Sequence, residues 1–286
     1  MKGKTIVITG ATSGIGQVAA ERLAQQGARI VQVARSRERG EAAVARLKSI
    51  VDAGHTIHYA DLSRMSEMKR VAAEVAASEP RIDVLINNAG AMFSPRQSTG
   101  DGLEMTFATN HVAYFIVTLG LLDRLRATPG SRIVNTASDA HRGAKLDFDD
   151  LQSERGYGGF GVYKKSKLAN ILFTRELAGR LKGKATVTAN SLHPGFVATR
   201  FGDNSGGAFG TLIRISKALV AISPEKGAET IVYLASSPEV ANVSGEYFYK
   251  CKRSTPTREA QDDAAAKRLW DETERITGVR LSTEDR

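Results

Sequence analysis

Seven short runs rich in Val, Ile, Tyr and Thr recur along the chain, each bounded by turn residues: TIVIT (5–9), RIVQVA (29–34), TIHYA (56–60), DVLIN (83–87), RIVNT (132–136), TVTAN (186–190) and EYFYK (246–250). Most are continuously apolar rather than alternating, which suits strands buried on both faces of a parallel sheet. The stretches between them carry helical spacing, at 15–26, 38–50, 64–78, 102–126, 157–182 and 225–236. Strand and helix in turn predict a doubly wound α/β fold of three layers around a mostly parallel, seven-stranded sheet. No Pro/Gly/Ser-rich linker and no internal repeat divides the 286 residues, so they read as a single domain, 1–286. Its core spans about 3–250. A segment at 200–223, Gly-rich and then apolar, and an extension at 251–286 lie outside the alternation. The extension holds a helical stretch, EAQDDAAAKRLWDETERIT, whose Trp270 is expected to be a packing anchor.

Bulk properties narrow the class further. Hydrophobic residues make up 42% and charged ones 25%, enough to bury a core. The one cysteine, Cys251, excludes an internal disulfide and fits a reducing compartment; a strand position is expected for it. The start, MKGKTIVITG, meets a glycine turn too early for a signal peptide. The longest apolar stretch, 113–122, falls short of the roughly 18–20 residues that cross a bilayer. The expectation is a soluble, cytoplasmic chain with no transmembrane segment. Net charge is +9, with basic clusters at Arg35–Arg39, Lys164–Lys167 and Lys250–Arg253. No nucleic-acid motif accompanies them, which leaves solvated surface, a phosphate-bearing ligand or an anionic membrane surface. His55, His58, His111, His141 and His193 have no metal-ligand spacing, so no metal is expected.

The first run leads into TGATSGIG, 9–16. Gly10, Gly14 and Gly16 sit between strand and helix, where a bare backbone turns tightly and approaches a ligand. A helix starting near Ile15 aims its free N–H groups and positive end at that spot, which suits pyrophosphate. The spacing is GxxxGxG rather than the general GxGxxG of Rossmann-type sites. The second run ends VQVARSRERG. A ribose 2′-hydroxyl is usually held there by an acidic residue and a 2′-phosphate by arginine. Here Arg35 follows Ala34, with Arg37 nearby, and the guanidinium fork suits phosphate. That favours NADP(H) over NAD(H). Asp61 ends the third run and INNAG (86–90) the fourth, both at the crevice where such sheets bind ligands. Ser138 follows the fifth run. Tyr163 and Lys167, in YKKSK, share one helix face a turn apart. Asn110 lies inside a helical stretch, where Asn has poor propensity and its amide is a candidate for other use.

This set resembles the short-chain dehydrogenase/reductase family over about residues 3–250, on TGATSGIG, INNAG, Asn110, Ser138, YKKSK and HPGFVAT (193–199). ASDAH, YKKSKLANILFTRELAGRL and the ending SGEYFYKCKRS are similar to the retinol dehydrogenase-like branch. The resemblance implies an NADP(H)-dependent oxidoreductase that interconverts a lipophilic alcohol and its aldehyde or ketone. Tyr163 would give or take the proton, Lys167 would favour the phenolate and bind the nicotinamide ribose, Ser138 would hold the substrate oxygen, and Asn110 a relay water. Ser13 and Ile15 would touch the phosphates, Asp61 and Leu62 the adenine, and Asn87, Ala89 and Gly90 the ribose on the adenosine side. Pro194, Gly195, Val197 and Thr199 would border the nicotinamide. The segment 200–223 would be a substrate lid, with Phe201, Phe209, Leu212, Ile213 and Ile215 its apolar face. Members of the branch often carry an N-terminal membrane segment ahead of the first strand; this sequence shows none there, so a retinoid is not singled out as substrate. Family members often pair through the long helices, so a homodimer or homotetramer is expected unless the extension covers that face. Two other readings stay open: the same fold with double-bond reduction or epimerisation, and an NADPH-sensing module without chemistry.

Overall fold

A computed structural model describes residues 1–183, 186–196 and 222–281. Eight strands form one sheet: β1 (Thr5–Thr9), β2 (Arg29–Ala34), β3 (Thr56–Tyr59), β4 (Val84–Asn87), β5 (Arg132–Thr136), β6 (Thr188–Leu192), β7 (Tyr247–Tyr249) and β8 (Lys252–Arg253). Their order is β3-β2-β1-β4-β5-β6-β7-β8. All pairings are parallel except β7 with β8, which is antiparallel. The Rossmann-type class thus stands, and the strand number is eight rather than seven. The extra strand has only two residues and follows a turn through Lys250 and Cys251, both at positive φ (48° and 59°). Hairpin turns of this kind usually announce themselves with Asn-Gly or Asp-Gly, and here neither residue does so. Cys251 therefore sits in that turn, not in a strand. β6 also begins two residues later than TVTAN suggests.

The helices are α1 (Gly14–Gln25), α2 (Arg37–Ile50), α3 (Met65–Ser78), α4 (Met105–Arg126), α5 (Gly159–Leu181), α6 (Pro224–Ser236) and α7 (Asp263–Thr277). Side chains alternate across each strand. Ile6, Ile8, Ile30 and Ile86 pack with α1 and α6 on one face, and Val7, Val31, Leu85 and Ile133 pack with α3, α4 and α5 on the other. Both faces are covered, which is why the strands read as continuous apolar runs. Side-chain caps fix several helix starts: Ser36 accepts from Arg39 N–H, Ser223 from Lys226 N–H and Asp262 from Ala265 N–H. Gly278, left-handed at φ 65°, ends α7.

By length and composition α4 is apolar enough to cross a bilayer, with 22 residues and a mean hydropathy of 1.4. The apolar run at 113–122 is extended by Met105–Val112 ahead of it. Yet 78% of the apolar window is buried inside the fold, between α3 and α5. That is the pattern of a core helix.

The extension folds back over the α4–α5 face. Trp270, 1% exposed, meets Phe115 edge-on at 5.0 Å and stacks on Phe173 at 5.8 Å. Its Nε1 donates to Glu274 Oε1 at 2.9 Å, and the Arg180 guanidinium lies 4.5 Å from the ring. The Thr273 hydroxyl donates to Leu269 O, so at 3.1 Å it accepts from His111 Nε2. Trp270 is the packing anchor expected of it, and α7 packs along α5 and against Phe115 of α4.

Candidate active site

Strand order reverses at β1 and β4, and their C-terminal ends open a cleft of about 1070 Å³. One end of it is the glycine turn. Gly10 and Gly14 have φ of 69° and 58°, a region that penalises any Cβ. Gly16 has a different reason to be glycine: a Cβ there would overlap the Gly10 carbonyl oxygen and the Asn88 amide. That amide donates to Thr9 O at 3.3 Å and Gly10 O at 3.1 Å. Thr9 Oγ1 in turn accepts from the N–H groups of Asn88 and Ala89, both at 3.0 Å. The ends of β1 and β4 are stitched together at this point. Gly16→Ala is expected to cost about 1–3 kcal/mol through overpacking. A lower melting temperature and weaker NADPH binding by fluorescence titration check it.

The α1 N-terminus faces the cleft. Ser13 caps it without a side-chain hydrogen bond, and no acidic residue occupies its first turn. Ser13, Gly14, Ile15 and Gly16 line the cleft, which leaves N–H groups and the positive helix end available to an anion. At the end of β2, Arg35 and Arg39 line the cleft, both exposed and without an ion-pair partner among the described residues. Arg37, the neighbour picked out in the sequence, turns away: it stacks on Tyr59 at 4.6 Å and pairs with Glu41. Asp61 and Leu62 line the next stretch, where Asp61 Oδ1 accepts from Ser63 N–H and Oγ–H at 3.0 and 2.8 Å.

Ala89 and Gly90 border the cleft, and Asn87 does not. The Asn87 side chain is fully buried on the other side, donating to Thr118 Oγ1 and Asn135 Oδ1 at 2.9 Å each. Asn87 is the last residue of β4, and strand alternation sends Asn88 to the opposite side, where it takes the cleft position. Pro194 and Gly195 line the far end; Val197, Thr199 and the lid residues named at 201–215 lie outside the described residues.

Ser138, Tyr163 and Lys167 converge on the far wall. Ser138 is the hydrogen-bond partner of the Tyr163 phenol, and its Oγ also accepts from Ala140 N–H at 3.1 Å. Lys167 Nζ donates to Thr136 O at 3.0 Å and sits 5.6 Å from the Tyr163 ring centre. Both side chains are buried. Burial pushes the Tyr163 phenol up to about 12 and the Lys167 ammonium down to about 7. For Tyr163 burial outweighs the Ser138 hydrogen bond that favours the phenolate, so the phenol holds its proton at neutral pH and is disposed as an acid.

Asn110 lies in a π-helical segment of α4, Ala108–Val112. Its side chain clamps Ala91, donating to the carbonyl at 2.9 Å and accepting from the N–H at 2.8 Å, and also donates to Ser166 Oγ at 3.0 Å. The amide thus works next to the cleft rather than lining it, with one Oδ1 lone pair left over. A Cβ on Gly90 would come within 3.2 Å of Asn110 Oδ1 and 3.4 Å of Lys167 Nζ, so the two side chains converge behind that glycine.

Two histidines near the site hold the scaffold. His141 is fully buried; its Nε2 accepts from Thr257 N–H, so Nδ1 donates to Ser138 O at 2.7 Å. His193 lines the cleft, stacked on Tyr249 at 3.9 Å, with Nδ1 accepting from Gly195 N–H. Burial pushes it down to about 4, so it is neutral in the working range. Phe160 and Phe196, 44% and 49% exposed, also line the cleft. Phe160 lies one turn before Tyr163 and stacks 6.4 Å from its ring. That turn spacing was the available signal for it in the sequence; Phe196 lies within HPGFVAT, between two residues expected at the site, and Tyr249 gave no signal. Among the described residues no cluster could hold a metal.

Comparison with known proteins agrees with this geometry. A family model described as short chain dehydrogenase matches residues 4–207. Human retinol dehydrogenase 13 is 41% identical over 283 residues, covering 97% of this chain and 85% of that protein. Human retinol dehydrogenase 14 is 41% identical over 297 residues, covering 98% and 88%. A crystal structure of an uncharacterized protein from Mycobacterium Paratuberculosis has a TM-score of 0.78 at 31% identity, covering 98% of this chain and 96% of that one. The Pseudomonas aeruginosa RhlG/NADP active-site complex has a TM-score of 0.68 at 26% identity, covering 87% and 94%. With the reversal crevice, the glycine turn and the buried Tyr–Lys pair all in one cleft, the chain belongs to the short-chain dehydrogenase/reductase family, on its retinol dehydrogenase-like side, and is an oxidoreductase of that type.

Proposed function

We propose that this chain is an NADP(H)-dependent oxidoreductase that interconverts a lipophilic alcohol and its aldehyde or ketone, with Tyr163 as proton donor and acceptor. The observation that carries the reading is the meeting of Tyr163, Ser138 and Lys167 at one end of a cleft whose other end is a free helix N-terminus flanked by two unpaired arginines. That donor set fits a dinucleotide phosphate: N–H groups at Ser13 and Ile15 for the pyrophosphate, Arg35 and Arg39 for a 2′-phosphate. Asp61, Leu62, Ala89 and Gly90 would hold the adenosine half. Pro194 and Gly195, with Val197 and Thr199 after them, would border the nicotinamide. A bound nicotinamide supplies or takes up the hydride at the substrate carbon.

The chain's own groups handle the proton. Ser138 Oγ–H holds the substrate oxygen beside the Tyr163 phenol. In reduction Tyr163 O–H gives its proton to that oxygen; in oxidation the phenolate takes it back. Lys167 orients the cofactor ribose and supports the phenolate, and Asn110 fixes the backbone next to it. Apolar Phe160 and Phe196 at the mouth suit a lipophilic substrate, and the relatives' names, retinol dehydrogenases, point to such an alcohol. A single domain working in the cytoplasm is part of the same proposal.

Purified protein is expected to consume NADPH with several long-chain or ring-bearing aldehydes. Binding of NADPH with no turnover across an aldehyde and ketone panel would point instead to the sensing module. Arg35→Ala is expected to narrow the NADPH-to-NADH affinity ratio. A charge-assisted hydrogen bond contributes about 1.5–3 kcal/mol, so the ratio should drop by roughly 10–150-fold. An unchanged ratio sinks the role of Arg35.

A further inference from the structure

Tyr114 is a buried ionisable side chain that the proposed chemistry leaves unused. It lies one helical turn after Asn110 on α4, in the seam between α4 and α5. The side chain is 1% exposed, yet its hydroxyl has no hydrogen-bond partner among the described residues. A buried phenol normally finds one, because an unpartnered hydroxyl costs free energy that phenylalanine would avoid. The ionisable groups that meet Tyr114 both come from α5. Lys167 Nζ is 5.9 Å from the Tyr114 ring centre and 5.6 Å from that of Tyr163, so one ammonium lies close to both phenol rings. Lys167 has three N–H donors, and Thr136 O takes one. Asn87 Oδ1, on the strand end that donates to Thr118 one turn beyond Tyr114, is buried and partnerless too.

We propose that Tyr114 is a positioning residue for proton transfer: its hydroxyl accepts, through one buried water, a hydrogen bond relayed from Lys167 Nζ and so helps to hold that ammonium charged next to Tyr163. No bond between heavy atoms forms or breaks; the hydroxyl keeps its proton and serves as acceptor. The inference rests on the reading of Tyr163 and Lys167 as the proton-transfer pair, and it gives Lys167 a partner against the burial that disfavours its charge.

The test is Tyr114→Phe, which keeps the ring and removes one oxygen. Lysine Nζ is labelled with heavy nitrogen, and Lys167 is followed by NMR through a pH titration of the cofactor-free protein, its signal assigned by loss in Lys167→Arg. The expected result is a midpoint about one unit lower, a tenfold loss of proton affinity, with a melting temperature no lower than the parent's. An unmoved Lys167 midpoint overturns the proposal, whatever happens to the melting temperature, because a purely structural hydroxyl would affect folding alone. The titration needs no substrate. An active Tyr163→Phe enzyme would remove the proton-transfer reading, whereas an inactive one with an unmoved Lys167 midpoint in Tyr114→Phe removes this inference only.

Discussion

Replacing Tyr163 by phenylalanine is expected to lower turnover by about 10²–10⁴-fold, the usual effect of removing one proton-transfer group. The variant keeps the ring that stacks with Phe160, so NADPH affinity and melting temperature should stay near the parent's. Loss of turnover with binding retained assigns the hydroxyl to chemistry; a variant as active as the parent leaves YKKSK as a helix face only. The direction of pH dependence follows from the site. Reduction needs the protonated phenol, which burial pushes up to about 12, so its rate should hold across neutral pH and fall only as pH rises through the phenol's ionisation in the cofactor complex. Oxidation needs the phenolate and should climb over the same limb. Rate profiles measured in both directions check the signs, and in Tyr163→Phe the limb should vanish.

Replacing Trp270 by alanine is expected to destabilise the protein by about 3–5 kcal/mol, the range for truncating a large buried aromatic. The ring touches Phe115 on α4 and Phe173 on α5, so its loss opens a cavity at the junction of three helices. Those two helices also carry Asn110, Tyr163 and Lys167. Thermal or denaturant melts read the loss. Trp270→Phe should recover much of it, since the apolar contacts are shared by a smaller ring while the Nε1 bond to Glu274 goes. A melt unchanged in the alanine variant would mean that α7 is held elsewhere.

The layers of the fold and the far wall of the site were legible in the sequence because their signals are local. A continuous apolar run reports burial on both faces, so β5 could be read directly; a four-residue spacing reports only a shared helix face, and the role of the Tyr163–Lys167 pair came from the family resemblance. What the sequence left open depends on register and turn geometry. Asn87 and Asn88 are adjacent and chemically alike; only the strand's last alternation decides which one reaches the cleft. Arg35, Arg37 and Arg39 form one cluster, and the Ser36 cap that starts α2 at Arg37 determines that the first and last line the cleft while the middle one stacks on Tyr59. Tyr249 and Phe196 reach the site from chain segments far from Tyr163, with no periodic signal linking them.

The position of α7 also has a consequence in time. A ribosome extends the chain from its N-terminus, and segments settle roughly in that order. The helices bearing Asn110, Tyr163 and Lys167 therefore leave the exit tunnel well before Trp270, and for that interval Phe115 and Phe173 lack the ring that later covers them. A growing chain halted before α7 would expose that aromatic strip to a holdase chaperone, and enzyme activity would be among the last properties the nascent protein acquires.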